Sequence, residues 1–119
     1  MVGMMTQNGI IVRKGDSFDI IVQIKDKKQK GLNLEGCNLC MSVKNPETNK
    51  VIFKIAGEII SEEEGKVRIA IKPKHTNNSP QDYKTDIQLA LKNGDVHTIF
   101  PKDINKVGIF RITEDVTEV

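Results

Sequence analysis

The dominant regularity in this chain is alternation. Phe18, Ile20, Val22 and Ile24 fall on every second position, with Asp19, Gln23 and Lys25 among the residues between them. A period of two puts those four side chains on one face of an extended strand and mostly polar ones on the other. The same spacing recurs in Leu39, Met41 and Val43, and in Val51, Phe53 and Ile55. It returns in Val67, Ile69 and Ile71, and again in Tyr83, Thr85, Ile87, Leu89 and Leu91. Shorter apolar segments at Ile10–Arg13, Val96–Phe100 and Ile109–Ile112 bring the expectation to about eight strands.

Turn chemistry separates these runs. Lys92-Asn93-Gly94-Asp95 is the clearest hairpin signal, because Asn-Gly accepts the positive φ angles of a tight turn. Asn45–Asn49 and Ser61–Gly65 are longer polar connections. Pro73–Asp82 carries two prolines and two asparagines, which predicts a surface crossing between two sheets with room for a short helical turn. No segment of useful length has a 3.6-residue period. Evenly spaced strands with one long crossing predict an all-β antiparallel sandwich of about 7–8 strands with Greek-key wiring. The sandwich is placed over residues 10–113, with an N-terminal arm at 1–9 and a C-terminal tail at 114–119.

Composition narrows the partners. A chain of 119 residues is the size of one domain and can bury enough surface to fold without metal or disulfide staples. Its 18 basic and 16 acidic residues leave a net charge of +2, so the pronounced basic field of a nucleic-acid binder is missing. One Tyr, four Phe and no Trp make a poor base-stacking or sugar-stacking platform. Neither a secretory leader at the N-terminus nor an apolar run of membrane-spanning length is visible. The expectation is therefore a soluble chain with no nucleic-acid or membrane partner, assembled in a cytoplasmic compartment.

The candidate chemistry is thin. Cys37-Asn38-Leu39-Cys40 is a C-x-x-C, and His75 and His97 would complete a Cys2His2 set. On an alternating strand, however, positions i and i+3 point to opposite faces, and the histidine spacing fits no zinc-finger pattern. A redox motif would need a helix start to acidify the first thiol, and the pattern here predicts a strand. The expectation is two reduced cysteines, at least one of them packed. Glu62, Glu63 and Glu64 read as a solvated loop tip. Tyr83 is expected to face inward, and Asp86 and Gln88 to line an outer sheet surface. Lys25–Lys30, the densest basic run, reads as a hairpin tip that guards an edge. No Gly-rich phosphate loop or nucleophile elbow is present. No catalytic, cofactor-binding or metal-ligating residue is assigned, and the chain is not expected to be an enzyme.

The order of the segments carries a resemblance. Gly15-Asp16-Ser17-Phe18, Leu32–Gly36, Val43-Lys44-Asn45-Pro46 and Gly65–Ile69 come first, followed by Thr76 in the crossing. Tyr83–Leu89, Gly94–Thr98 and Gly108–Ile112 running on through Asp115-Val116-Thr117 complete the set. Together they resemble the N-terminal domain of phage baseplate upper proteins over residues 10–117. That resemblance implies an immunoglobulin-like sandwich that docks other virion proteins, as a homo-oligomer or a hetero-assembly, through tails and strand edges. In that family the domain anchors a fibre or receptor-binding device. This sequence stops just after the domain, so a tail or baseplate accessory or adaptor is the expectation. A capsid decoration protein and a binder of host-surface carbohydrate are the alternatives. Lys102–Lys106 stands out as an extra stretch before the last strand.

Overall fold

Alternation becomes two facing sheets in the structure, a computed structural model that describes residues 4–114. In chain order the strands are β1 (Met4–Met5), β2 (Gly9–Arg13), β3 (Phe18–Gln23), β4 (Asn38–Lys44) and β5 (Val51–Ala56). They continue as β6 (Glu58–Ser61) and β7 (Lys66–Ile71), then a short helix α1 (Pro73–Thr76). The last three strands are β8 (Asp82–Ala90), β9 (Val96–Phe100) and β10 (Gly108–Thr113). The larger sheet runs β1-β2-β10-β8-β4-β5, with β9 also paired to β8, and the smaller runs β3-β7-β6.

The alternating runs fall on strands whose apolar members face inward, Val51 at the start of β5 excepted. Met41 and Val43 from the large sheet, Ile69 and Ile71 from the small one, and Phe110, Ile10 and Ile87 are all fully buried between the layers. Each such side chain contributes roughly 1.5–3 kcal/mol relative to exposure, which is why register is specified so firmly: a one-residue slip would turn a whole face to water. The sheets join where the chain passes from β5 to β6 at Gly57. A Cβ there would stand 2.6 Å from Val67 Cγ1 and 2.9 Å from Leu39 Cδ2, so any larger residue would force these core side chains to shift.

Three details depart from the sequence reading. There are ten described strands, against an expected 7–8, because β1 and β6 escaped the pattern. The first is two residues long, and the second reads Glu-Ile-Ile-Ser with no alternation to betray it. The segment expected as an arm therefore contributes a strand, with Met4 opposite Ile11 and Met5 opposite Ile10. The sandwich is also not purely antiparallel, since β10 pairs in parallel with β2 from Ile109↔Gly9 to Thr113↔Arg13. A parallel pair needs a long crossover, and here nearly the whole domain supplies it. Residues 1–3 and 115–119 of the expected arm and tail lie outside the described residues.

The crossing between the sheets is a built corner. Pro73 opens α1, where a missing N–H costs nothing. His75 Nδ1 accepts a hydrogen bond from the Lys72 amide at 2.9 Å, and its ring packs 4.9 Å from that of Phe53. Thr76, fully buried, donates its hydroxyl to the Asp16 carbonyl at 2.8 Å, tying the crossing to the β2–β3 turn. Tyr83 faces inward as expected and donates its hydroxyl to the Ser79 carbonyl at 2.7 Å. That is the tyrosine corner of immunoglobulin-type domains.

Candidate binding groove on the outer face of the large sheet

The central strand β8 has an unequal pair of neighbours. One side pairs with β4 along its length, from Lys84↔Lys44 to Ala90↔Asn38. The other side is divided: β9 takes Ile87–Ala90 and β10 takes Asp82–Thr85. The chain between them, residues 101–107, leaves the sheet. Lys102–Lys106 is thus the insertion that reshapes this region, splitting one long partner strand into two.

The insertion is tethered only at its ends. Pro101 is buried, and residues 102–107 are all exposed. Within it, Asp103 accepts twice, through Oδ1 from the Asn105 amide at 2.9 Å and through its carbonyl from the Lys106 amide at 3.1 Å. The chain returns at Gly108, where a Cβ would sit 2.4 Å from the Thr85 carbonyl oxygen. A side chain at that point would collide with the β8 backbone, so glycine lets the chain rejoin the sheet there.

Alternation decides what that face offers. The inward partners on β4 and β8 are Val43 and Thr85, so Ser42, Lys44, Lys84 and Asp86 point outward. Between them and the insertion lies a groove of about 390 Å³, lined also by Thr98, Asp103, Ile104, Lys106 and Val107. This is within the roughly 300–1,000 Å³ range of small-ligand and peptide pockets. Its charged lining is Lys44, Lys84 and Lys106 against Asp86 and Asp103. Lysines, carboxylates and hydroxyls at this spacing can hold a polar or anionic group. No histidine or cysteine reaches the groove to serve as base or nucleophile.

The residues singled out from sequence lie mostly elsewhere. Cys37 is buried just before β4 and Cys40 is half-buried on the outer face of β4, both free. His97 lies on β9 opposite Leu89 and is exposed. His75 is part of the corner, where burial and then repulsion from Lys74 lower its pKa below the ordinary value. Among the described residues, no group of three or more His, Cys, Asp or Glu gathers as a metal site. Glu62–Glu64 form an exposed tip. The Lys25–Lys30 run is a closed turn, with Lys25 bridged to Gly31 and the Asp26 carboxylate accepting from the Lys28 and Lys30 amides. Asp82 makes a two-point ion pair with Arg111, at 2.6 and 3.1 Å, which holds the carboxyl below its usual range.

Asp86 was anticipated on an outer surface and is there. Lys44, Lys84 and Lys106 were not anticipated as a set. Their outward direction is readable from alternation, but which strands lie side by side is not.

Strand order, the parallel β2–β10 pair and the tyrosine corner define the class: an immunoglobulin-like β-sandwich with β2-β10-β8-β4-β5 facing β3-β7-β6. No protein-family model and no curated protein sequence matches the chain. Among solved structures it is similar to CopC from Methylosinus trichosporium OB3b, with a TM-score of 0.51 and 7% identity, over 92% of this chain and 87% of that one. Murine CRIg aligns more loosely, with a TM-score of 0.41 and 10% identity over 91% and 92% of the two chains. At 7% identity the likeness to CopC is one of fold alone, and the CRIg alignment is too loose to support an inference.

Proposed function

We propose that this chain is a non-enzymatic docking domain, serving as an accessory or adaptor in the tail or baseplate of a tailed-phage particle. The observation that carries the docking reading is the insertion between β9 and β10. Ile104 at its tip is 95% exposed and Val107 is 58% exposed, and both line the groove that holds half-buried Lys44 and Lys84 and exposed Lys106. Large apolar side chains held clear of the core beside an open polar groove favour a contact surface. The groove's lining of Lys, Asp, Ser and Thr suits recognition better than bond-making. The virion setting follows from the resemblance in the ordered segments, four of which, Val43–Pro46, Tyr83–Leu89, Gly94–Thr98 and Gly108–Ile112, border this groove.

Mass spectrometry of purified tailed particles, with stoichiometry against tail-tube and major capsid proteins, tests this reading. Copies in a small symmetric multiple, about six or twelve per particle, are the expected result. Copies approaching the number of capsid subunits would replace the adaptor role with decoration. Absence from particles would overturn the virion reading and return attention to a host-surface ligand.

A further inference from the structure

Strand β3 is an edge of the smaller sheet, which runs β3-β7-β6. The Ile24 amide, just beyond β3, donates to the Gly65 carbonyl at 2.8 Å, in register with the pairs Val22↔Val67 and Ile20↔Ile69. Hydrogen bonding alternates along an antiparallel pair, so Asp19, Ile21 and Gln23 turn their amides and carbonyls away from β7. Among the described residues no strand takes them up. The other edge strands are blunted by features that discourage pairing. Strand β1 has two residues, β6 and β9 pair through register shifts, and β5 carries Lys54 and a shift in its pairing with β4. Strand β3 has none of these. It is Phe-Asp-Ile-Ile-Val-Gln, six residues without lysine or proline, and its pairing with β7 runs unbroken from Phe18 to Gln23. Ile21 is 56% exposed on its outer face, and Phe18, Val22 and Ile24 on the inner face are only partly buried. A regular edge of this kind is a template for a further strand.

We infer that the further strand is β3 of a second copy of this chain, paired antiparallel about a two-fold axis at Ile21. That register is the one in which all three outward residues pair, Ile21 with its own counterpart and Asp19 with the second copy's Gln23. Any strand could take up the backbone groups; the side chains select β3 itself. On the outer face Ile21 meets Ile21, and Asp19 lies diagonal to the second copy's Lys25, an opposite charge within reach of a long side chain. Both of these charged residues are exposed. On the inner face Phe18 falls opposite Ile24 and Ile20 opposite Val22, so apolar residues face apolar ones throughout. One chain cannot supply β3 twice, and a two-fold contact of this kind closes at two copies. The two small sheets become one continuous sheet, β6-β7-β3 joined to β3-β7-β6. The groove belongs to the other sheet, so the inference goes beyond the docking reading and leaves that site open in both copies.

The test is sedimentation of the full chain across a concentration series, joined to hydrogen exchange read amide by amide in NMR. Expected is a dimer in which the Asp19, Ile21 and Gln23 amides are protected, with protection falling as dilution releases the monomer. Mixed labelled and unlabelled chains should give an intermolecular Hα–Hα contact between Ile20 and Val22, the close pair of this register. Ile21→Lys sets two ammonium groups against each other on the axis and should weaken the dimer at least about tenfold. Val96→Lys, at an exposed position on β9, should leave it unchanged. Should Ile21→Lys fail to fold, Asp19→Lys reads the same contact through Lys25, with a smaller loss. A chain that stays monomeric at NMR concentration, protection of these amides in the monomer, or a dimer lost in Val96→Lys but not in Ile21→Lys would overturn the inference. So would protection that appears only when another virion component is added. A chain found in particles but monomeric in solution would overturn this inference alone. A dimer absent from particles would leave it standing and sink the virion reading.

Discussion

Two connections of this sandwich, β7 to β8 and β9 to β10, are built on opposite plans. The crossing from β7 to β8 is locked from inside, with the Thr76 hydroxyl on the Asp16 carbonyl, the Tyr83 hydroxyl on the Ser79 carbonyl and the His75 ring against Phe53. The connection from β9 to β10 is held by buried Pro101 and Gly108 at its ends and by hydrogen bonds to Asp103 within it, while residues 102–107 face water. Polar groups in the first are consumed by the fold. In the second, side chains are left over. A connection that satisfies itself positions the sheets, and one that leaves lysines and isoleucine exposed is available to a partner.

Substitutions in the two regions should separate cleanly, the largest effect coming from the crossing. Thr76→Val removes a buried donor and strands the Asp16 carbonyl, so denaturant unfolding should show a loss of about 1–3 kcal/mol. Tyr83→Phe deletes the corner hydrogen bond but leaves the ring packed, with an expected loss of roughly 0.5–1.5 kcal/mol by the same measurement. A smaller effect depends on pH through His75. Its folded pKa lies below the ordinary 6.5, first because burial penalises the charged ring and then because Lys74 repels it. The unfolded chain therefore takes up the proton first. This contribution to stability is complete above about pH 6.5 and is lost as pH falls from there through the lowered folded value. Protonation also removes the acceptor used by the Lys72 amide. Melting curves of wild type and His75→Gln should diverge in pH dependence over that window and run parallel above it. The smallest effect belongs to the insertion: Ile104→Ser should leave stability within about 0.5 kcal/mol while weakening the proposed docking contact.

Sequence made the sandwich legible because burial on one face imposes a period of two, which five of the ten described strands carry, and short apolar segments mark three more. Strand β6 was hidden by its consecutive Ile59 and Ile60, and β1 by its length. The parallel β2–β10 pair was illegible for another reason: alternation says which way a side chain points, never which strand lies beside it. The groove suffers the same limit. Asp86 was expected on an outer surface and Lys102–Lys106 was noted as an extra stretch, yet the opposition of Lys44 to Lys84 exists only once β4 and β8 are paired. The densest basic run, Lys25–Lys30, drew attention instead and turned out to be a turn closed on its own Asp26.

Lysines in both connections allow the central claim to be tested in one measurement. Lys72 and Lys74 report on the crossing, and Lys84 and Lys106 report on the groove beside the insertion. Lysine acetylation of the free chain and of the assembled particle, read residue by residue, compares them directly. The account predicts that Lys84 and Lys106 lose reactivity on assembly while Lys72 and Lys74 keep theirs. Protection of Lys72 and Lys74 with Lys84 and Lys106 still reactive would contradict it.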